Sequence, residues 1–271
     1  MRLERIDDAA DPRLADYRDV KDPDLRQRQG IFIAESREVV RQLLASRRFR
    51  TRSVLLTAAA LAALRAHLEA VAPDVPIFLV EADLARRVIG YGFHRGCLAA
   101  AERGSEPPAA GLIDPAGPRV LVVLDGITDP DNIGVVFRNA MAFGADGILL
   151  SPAAADPLYR KAIRVSMGAA LAVPFARLEG WPASLGRFRE AGYAVIALRP
   201  RAPVDVAEFG ASRPVPERLA LVLGAEGHGL SAGARAAADW EVGIAMAPGA
   251  DSLNVGTACG IALHRLCARG R

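Results

Sequence analysis

Lysine is nearly missing from this chain of 271 residues: of 34 basic side chains, only Lys21 and Lys161 are lysine, and the rest are arginine. Arginine grips phosphate bidentately where lysine acts as a point charge. A GC-rich coding sequence gives the same bias, so the excess alone assigns no partner. Cysteine is scarce as well. Cys97, Cys259 and Cys267 are odd in number and lack CxxC spacing, which argues against a disulfide framework and against zinc. The four histidines (His67, His94, His228 and His264) form no HxxxH pair, so no metal is expected. No apolar run approaches the roughly 20 residues that span a bilayer, so no membrane partner is expected. Glu4, Asp7 and Asp8 stand where an export signal has its apolar core, and the expected location is the cytoplasm. There is no P-loop. The first strand of the second half, Val120–Asp125, is followed by Gly-Ile-Thr-Asp-Pro-Asp and not by the GxGxxG turn of the common dinucleotide folds.

What is present is a chain long enough for two domains with a core in each. Hydrophobic residues at 51% against charged residues at 24% describe a soluble globular protein. The net charge of +3 is a mild basic lean. Residues 1–29 are charged and read as an arm, with a helix around Leu25–Gln29. Apolar runs at Gly30–Ala34, Ser53–Leu56, Pro76–Val80 and Gly96–Ala101 read as strands. Ser36, Thr57 and Asp83 are placed to cap the helices between them. That alternation predicts a small α/β domain over 1–104. Residues 105–118, rich in proline and glycine, predict a linker. Over 119–271 further strand–helix repetition predicts a mostly parallel sheet, with strands at Val120–Asp125, Gly147–Leu150 and Tyr193–Leu198. Helices are expected at Ile133–Phe143, Leu158–Ala170 and Val255–Ala268. Arg47-Arg48-Phe49-Arg50-Thr51-Arg52 sets four arginines on a helix-to-strand connection, either a track for a nucleic-acid backbone or a solvated loop.

Two apolar runs near the C-terminus each halt on a polar loop. The first, Leu219–Leu223, delivers Gly224-Ala-Glu226-Gly227-His-Gly229. The second, Glu241-Val-Gly-Ile244-Ala-Met246, delivers Pro248-Gly249-Ala-Asp-Ser252-Leu253-Asn254. A buried strand ending on glycines exposes backbone N–H groups to close approach. Two such loops side by side predict a pocket built largely from main chain, with Glu226, Ser252 and Asn254 pointing in. Ser252 and Asn254 are also placed to cap the final helix.

Together with Asn132-Ile-Gly134-Val-Val-Phe-Arg138-Asn-Ala140 upstream, these loops resemble the three ordered motifs of the SpoU/TrmH family of RNA ribose methyltransferases, in the SPOUT superfamily. The resemblance implies a SPOUT-type catalytic domain whose C-terminal segment is tucked through a trefoil knot, an exception to unknotted connectivity. It implies an L30e-like first domain that binds the RNA substrate, S-adenosyl-L-methionine as cofactor, and a homodimer through the C-terminal domain that completes the active site. Carried over residue by residue, the catalytic positions are Asn132, Arg138, Glu226, Ser252 and Asn254. Arg138 lies near the target ribose and a phosphate, and is often assigned as general base. Glu226 orients the segment bearing Asn132. The cofactor positions are Leu198, Leu223, Gly224, Glu226, Gly227, Gly229, Ile244, Met246, Ser252, Leu253 and Asn254. RNA contacts fall to Arg47, Arg48, Arg50, Arg52 and Arg138. Arg164-Val-Ser166-Met-Gly168-Ala169 matches a further family feature, expected as a helix-to-strand bend near the active site. Gly256 stands where many relatives carry serine, which is expected to loosen its loop. The implied activity is methyl transfer to a ribose 2′-hydroxyl of tRNA or rRNA. Methylation of a base nitrogen, and a non-catalytic RNA-binding or ribosome-assembly role on the same fold, stay open at this point.

Overall fold

The structure is a computed structural model, and it describes residues 2–18, 30–70, 74–90, 96–117, 119–212 and 214–267. The helix expected around Leu25–Gln29 lies outside the described residues, as does Ala268. By its internal contacts the chain divides into two units: Met1–Ser105 with Pro157–Ala172, and Glu106–Asp156 with Val173–Arg271. Segment Pro157–Ala172, read from sequence as part of the second domain, falls with the first.

The first unit is built on a five-stranded sheet in the order β1-β4-β3-β5-β2. Its strands are β1 (Arg2–Arg5), β2 (Ile31–Glu35), β3 (Thr51–Leu56), β4 (Pro76–Leu79) and β5 (Cys97–Glu102). Strands β1, β4 and β3 run parallel, while β5 is antiparallel to both β3 and β2. The charged arm therefore holds a strand that its composition hides, because β1 is an edge strand with exposed polar side chains. Helix α1 (Arg37–Ala45) is capped by Ser36, whose hydroxyl accepts from Val39 N, and α2 (Ala58–Glu69) is capped likewise by Thr57. Helix α3 (Ala82–Ile89) corrects the expectation for Asp83: the N-cap position is Glu81, without a side-chain cap bond, and Asp83 sits inside the first turn. The core gathers Ile31, Ile33, Leu55, Phe78, Val88 and Leu98 with Tyr17, whose hydroxyl hydrogen-bonds Ser53 Oγ at 2.7 Å. Cys97 is fully buried and packs in this unit, and burial pushes its thiol up to about 12. The helix expected over Leu158–Ala170 is two short helices, Arg160–Val165 and Ala169–Ala172. The break falls at Met167 and Gly168, which take φ of 53° and 87°. The Arg164–Ala169 motif is thus a bend between helices and not one into a strand. Ser166 Oγ donates to Ile163 O and accepts from Ala170 N across it.

The second unit carries seven parallel strands in the order β10-β12-β9-β11-β6-β7-β8. They are β6 (Val120–Asp125), β7 (Gly147–Leu150), β8 (Phe175–Arg177), β9 (Ala194–Leu198), β10 (Val204–Asp205), β11 (Leu219–Gly224) and β12 (Trp240–Gly243). The central strands β6, β11 and β9 are apolar along their length but for Asp125 at the end of β6, as strands covered on both faces are. Helices α4 (Pro130–Phe143), α5 (Val206–Ser212) and α6 (Val255–Cys267) are the longest of this unit, and α6 packs along α4. Sequence reading missed β10 and α5. The expected linker is partly structured and docked within this unit: Ile113 is buried in its core, Tyr193 Oη donates to Leu112 O, and Arg218 donates to the carbonyls of Asp114, Pro115 and Gly117. Because all seven strands are parallel, the loops after β6, β9, β11 and β12 emerge at one edge of the sheet, where open α/β sheets bind ligands.

Candidate active site

Asn254 is the hub of that edge. It precedes α6, and its Oδ1 accepts from Gly256 N at 3.0 Å and Thr257 N at 3.3 Å, an N-cap. Its Nδ2 donates to Asn132 Oδ1 and to Glu226 Oε1, both at 2.8 Å. Two donated and two accepted bonds use the whole capacity of a carboxamide, so the group has one orientation: turned over, it would set donors against donors. Asn132 sits in the first turn of α4, buried to 6% exposure, behind an N-cap made by Asp129. Glu226 stands exposed on the loop after β11. Three sequence-distant side chains therefore meet at one point. Glu226 acts on Asn132 only through Asn254, a more indirect link than expected. Ser252 makes no hydrogen bond among the described residues, so of the two expected caps only Asn254 serves.

The loop after β11 is closed tightly on itself. Gly229 N donates to Ala225 O at 2.9 Å, and Gly227 and Gly229 take φ of 85° and 68°, where a side chain would be strained. Gly224 has a different reason: a Cβ there would run into the backbone of Gly229 and Leu230. Its close approach is to its own loop. Beside this loop lies a cleft of about 340 Å³. Of the expected cofactor positions, Leu198, Leu223, Gly224, Glu226, Gly227, Gly229, Ile244, Met246, Ser252 and Leu253 all line it, and Asn254 stands next to it in sequence. Arg199 and Asp251 line it too and were not foreseen. Arg199 Nε donates to Glu241 Oε2 at 2.7 Å, and this bond, with one from Arg235, holds the Glu241 carboxyl below its ordinary range.

The profile of the SpoU rRNA Methylase family matches residues 119–264, more than half of the chain. The chain belongs to that family. An uncharacterized tRNA/rRNA methyltransferase of Mycobacterium bovis is 40% identical over 272 residues, covering 99% of this chain and 93% of the relative. Among solved structures, an AdoMet-bound rRNA methyltransferase from Sinorhizobium meliloti superposes with a TM-score of 0.83 at 24% identity, covering 99% of each chain. The SpoU methyltransferase AviRb from Streptomyces viridochromogenes, in complex with AdoMet, gives 0.76 at 24% identity over 96% of this chain and 98% of its own. At that identity the likeness is one of fold.

In this SpoU methylase Arg138 is not part of the hub. It lies on the exposed side of α4, forms no hydrogen bond or ion pair among the described residues, and does not line the cleft. The four arginines of the cluster are exposed: Arg47, Arg48 and Arg50 lie on the connection between α1 and β3, as expected, and Arg52 lies within β3. Two are committed to carboxylates: Arg50 to Glu102 at 3.3 Å and Arg52 to Asp16 at 3.5 Å. Arg48 lies over the Phe49 ring at 5.0 Å. Gly256 corrects another expectation. It is buried at the start of α6, a Cβ would meet Val135 of α4, and its carbonyl accepts from Asn139 Nδ2 at 2.6 Å, so the segment is held and not loosened. Sequence reading also passed over Asp125, whose two oxygens accept from Trp181 Nε1 and Ser231 N at 2.7 Å each. A lone acid closing an apolar run was the signal. Among the described residues no cluster of His, Cys, Asp and Glu is arranged to hold a metal, and no helix is long and apolar enough to cross a membrane.

Proposed function

We propose that this SpoU methylase binds S-adenosyl-L-methionine in the cleft at the carboxyl ends of β9, β11 and β12, and transfers its methyl group to a ribose 2′-hydroxyl of tRNA or rRNA. The observation that carries the reading is the Asn132–Asn254–Glu226 hub at the edge of a cleft lined by the motif residues. The cleft suits such a ligand. Its volume falls within the roughly 300–1,000 Å³ of small-molecule sites. Leu198, Leu223, Ile244, Met246 and Leu253 offer apolar wall, while Gly227 and Gly229 leave open space where a Cβ would stand, so main chain can approach a base and ribose. Glu226 and Asp251 place acidic groups along the same lining, a favourable setting for a cationic donor. AdoMet is bound in the Sinorhizobium and Streptomyces structures of the same fold.

When bound, the donor supplies an electrophilic methyl group on a sulfonium. The chain's own part is positioning and electrostatics. Asn254 holds Glu226 and Asn132 at fixed distances. Arg138 acts as a cation, because a guanidinium is effectively never deprotonated. It clamps an RNA phosphate and stabilises the alkoxide character that develops on the 2′-oxygen as the hydroxyl proton passes to solvent water. Because Arg138 stands away from the cleft lining, this reading includes a homodimer through the C-terminal domain, in which one protomer's Arg138 serves its partner's cleft. Met141, three residues on along the same helix and 47% exposed, is apolar surface consistent with such a contact. The reading further takes the C-terminal segment to be knotted, the first unit to be an L30e-like RNA-binding domain, and the enzyme to be cytoplasmic.

The test uses Asn254→Asp. Aspartate is as good an N-cap as asparagine, so α6 stays capped, but it sets an acceptor against Asn132 Oδ1 and the Glu226 carboxylate. Transfer of labelled methyl from the donor to RNA should fall by roughly two orders of magnitude, the scale of losing a site hydrogen bond, with little change in Tm. Wild-type transfer by the variant would reduce the hub to a helix cap. RNA binding without transfer by the wild type would favour a non-catalytic factor.

A further inference from the structure

Asp125 ends β6 and is buried to 6% exposure, yet it is absent from the cleft lining and from the hub. Its Oδ1 accepts from Trp181 Nε1 and its Oδ2 from the backbone N–H of Ser231, each at 2.7 Å. A carboxylate only accepts, so both oxygens are matched to donors, and bonds of this kind are charge-assisted. Ser231 is the residue at which the loop after β11 ends, and it caps the short helix Ala232–Ala236 that follows. The loop itself is held at its start by Gly224 packed on the backbone of Gly229 and Leu230, and across its waist by Gly229 N on Ala225 O. Its outer residues, Glu226 to Gly229, are exposed. The far end is held to the sheet by one buried oxygen, beside Leu230, which packs into the core of this unit.

We propose that Asp125 is a positioning residue for the cofactor loop: by fixing the Ser231 amide it sets where Glu226 stands, and through Glu226 the hub with Asn254 and Asn132. Trp181 satisfies the other oxygen of the carboxylate. The proposal rests on the cleft being the donor site. It also explains the residue type. Asparagine, the same shape, would put an N–H against either Trp181 or Ser231.

The experiment is amide hydrogen exchange on the full-length protein, with donor affinity measured in parallel by calorimetry. In Asp125→Asn, exchange over residues 225–231 should rise at least ~10-fold, and S-adenosylmethionine Kd by about 10- to 100-fold, the range for one hydrogen bond to a charged group. Exchange in β7 and β9 should stay as in wild type. Trp181→Phe removes a donor but leaves the Asp125–Ser231 bond, so its loop should exchange as in wild type. Unchanged loop exchange in Asp125→Asn, or equal loosening in Trp181→Phe, would overturn the proposal. Should Asp125→Asn fail to fold, the wild type decides: the Ser231 amide should exchange at least ~10-fold more slowly than that of Gly227, as one protecting hydrogen bond requires, and equal rates would overturn it. If wild type binds no donor, the reading of the cleft fails, while loop exchange still judges Asp125.

Discussion

Asn132 and Arg138 lie six residues apart on α4, and at 100° per residue the helix turns them about 120° away from each other. That is why one is buried in the hub and the other faces solvent, although a motif presents them as a pair. Acting as a cation from the solvent side, Arg138 should be partly replaceable by lysine, which keeps the charge and loses the bidentate fork. Single-turnover transfer by Arg138→Lys should fall on the order of 10- to 1000-fold, and further in Arg138→Ala, with donor Kd unchanged in both. As a base, lysine would be the better group, with an unperturbed pKa near 10.4 against at least 12.5. A lysine variant matching wild type, its pH–rate profile moved to lower pH, would contradict the cationic role. Glu226, Ser252 and Asn254 were legible because apolar runs stopped on Gly- and Pro-rich loops, which have few other uses so close together. What stayed hidden was how their valences are spent. Ser252 and Asn254 are equal as caps on paper, and only geometry gives the helix to Asn254. Asp125 was hidden for the opposite reason: one acid at a strand end carries no pattern.

At the scale of elements, the site depends on how closely α6 lies against α4. Gly256 and Gly260 make that approach: a Cβ at Gly256 would stand 2.8 Å from Val135 Cβ, and one at Gly260 would stand 3.2 Å from Asn139 Nδ2. Asn139 closes the seam by donating to Gly256 O. Serine at 256 should therefore overpack against Val135 and cost about 1–3 kcal/mol. Adding Val135→Ala should recover much of it, with a coupling of at least ~0.5 kcal/mol in urea unfolding. Strictly additive effects would mean the two side chains do not compete for the space. The strands of the sheet were legible to within a residue or two wherever they are apolar throughout, as with β6, β7 and β11. Strand β1 was not, because an edge strand with charged side chains reads as an arm. The expected helix over Leu158–Ala170 has helical spacing across its middle, and only the positive φ at Met167 and Gly168 shows the break.

At the scale of the molecule, the partition of the chain was the least legible feature. A Pro/Gly-rich stretch reads as a linker from composition, but Ile113 and Leu112 join a core, and Arg218 binds the stretch through its carbonyls. The arginine cluster of the first unit was visible as a run of charge, but not the pairing of Arg50 with Glu102 and Arg52 with Asp16. Those partners reduce what each can give to RNA. Replacing Arg47 and Arg48 by Gln should lower the slope of log affinity against log salt by up to about 1.8, at roughly 0.9 for each duplex phosphate no longer neutralised. The pair Arg50 and Arg52 should contribute less. An unchanged slope in the Arg47/Arg48 variant would make the cluster a solvated loop.

The most direct measurement is of where the methyl group goes. RNA lacking modifications, treated with the wild-type protein and isotopically labelled S-adenosylmethionine, can be digested to nucleosides and read by mass spectrometry. The account predicts label on the ribose, in a 2′-O-methylnucleoside that loses its label with the sugar on fragmentation. Label retained on the base would contradict it.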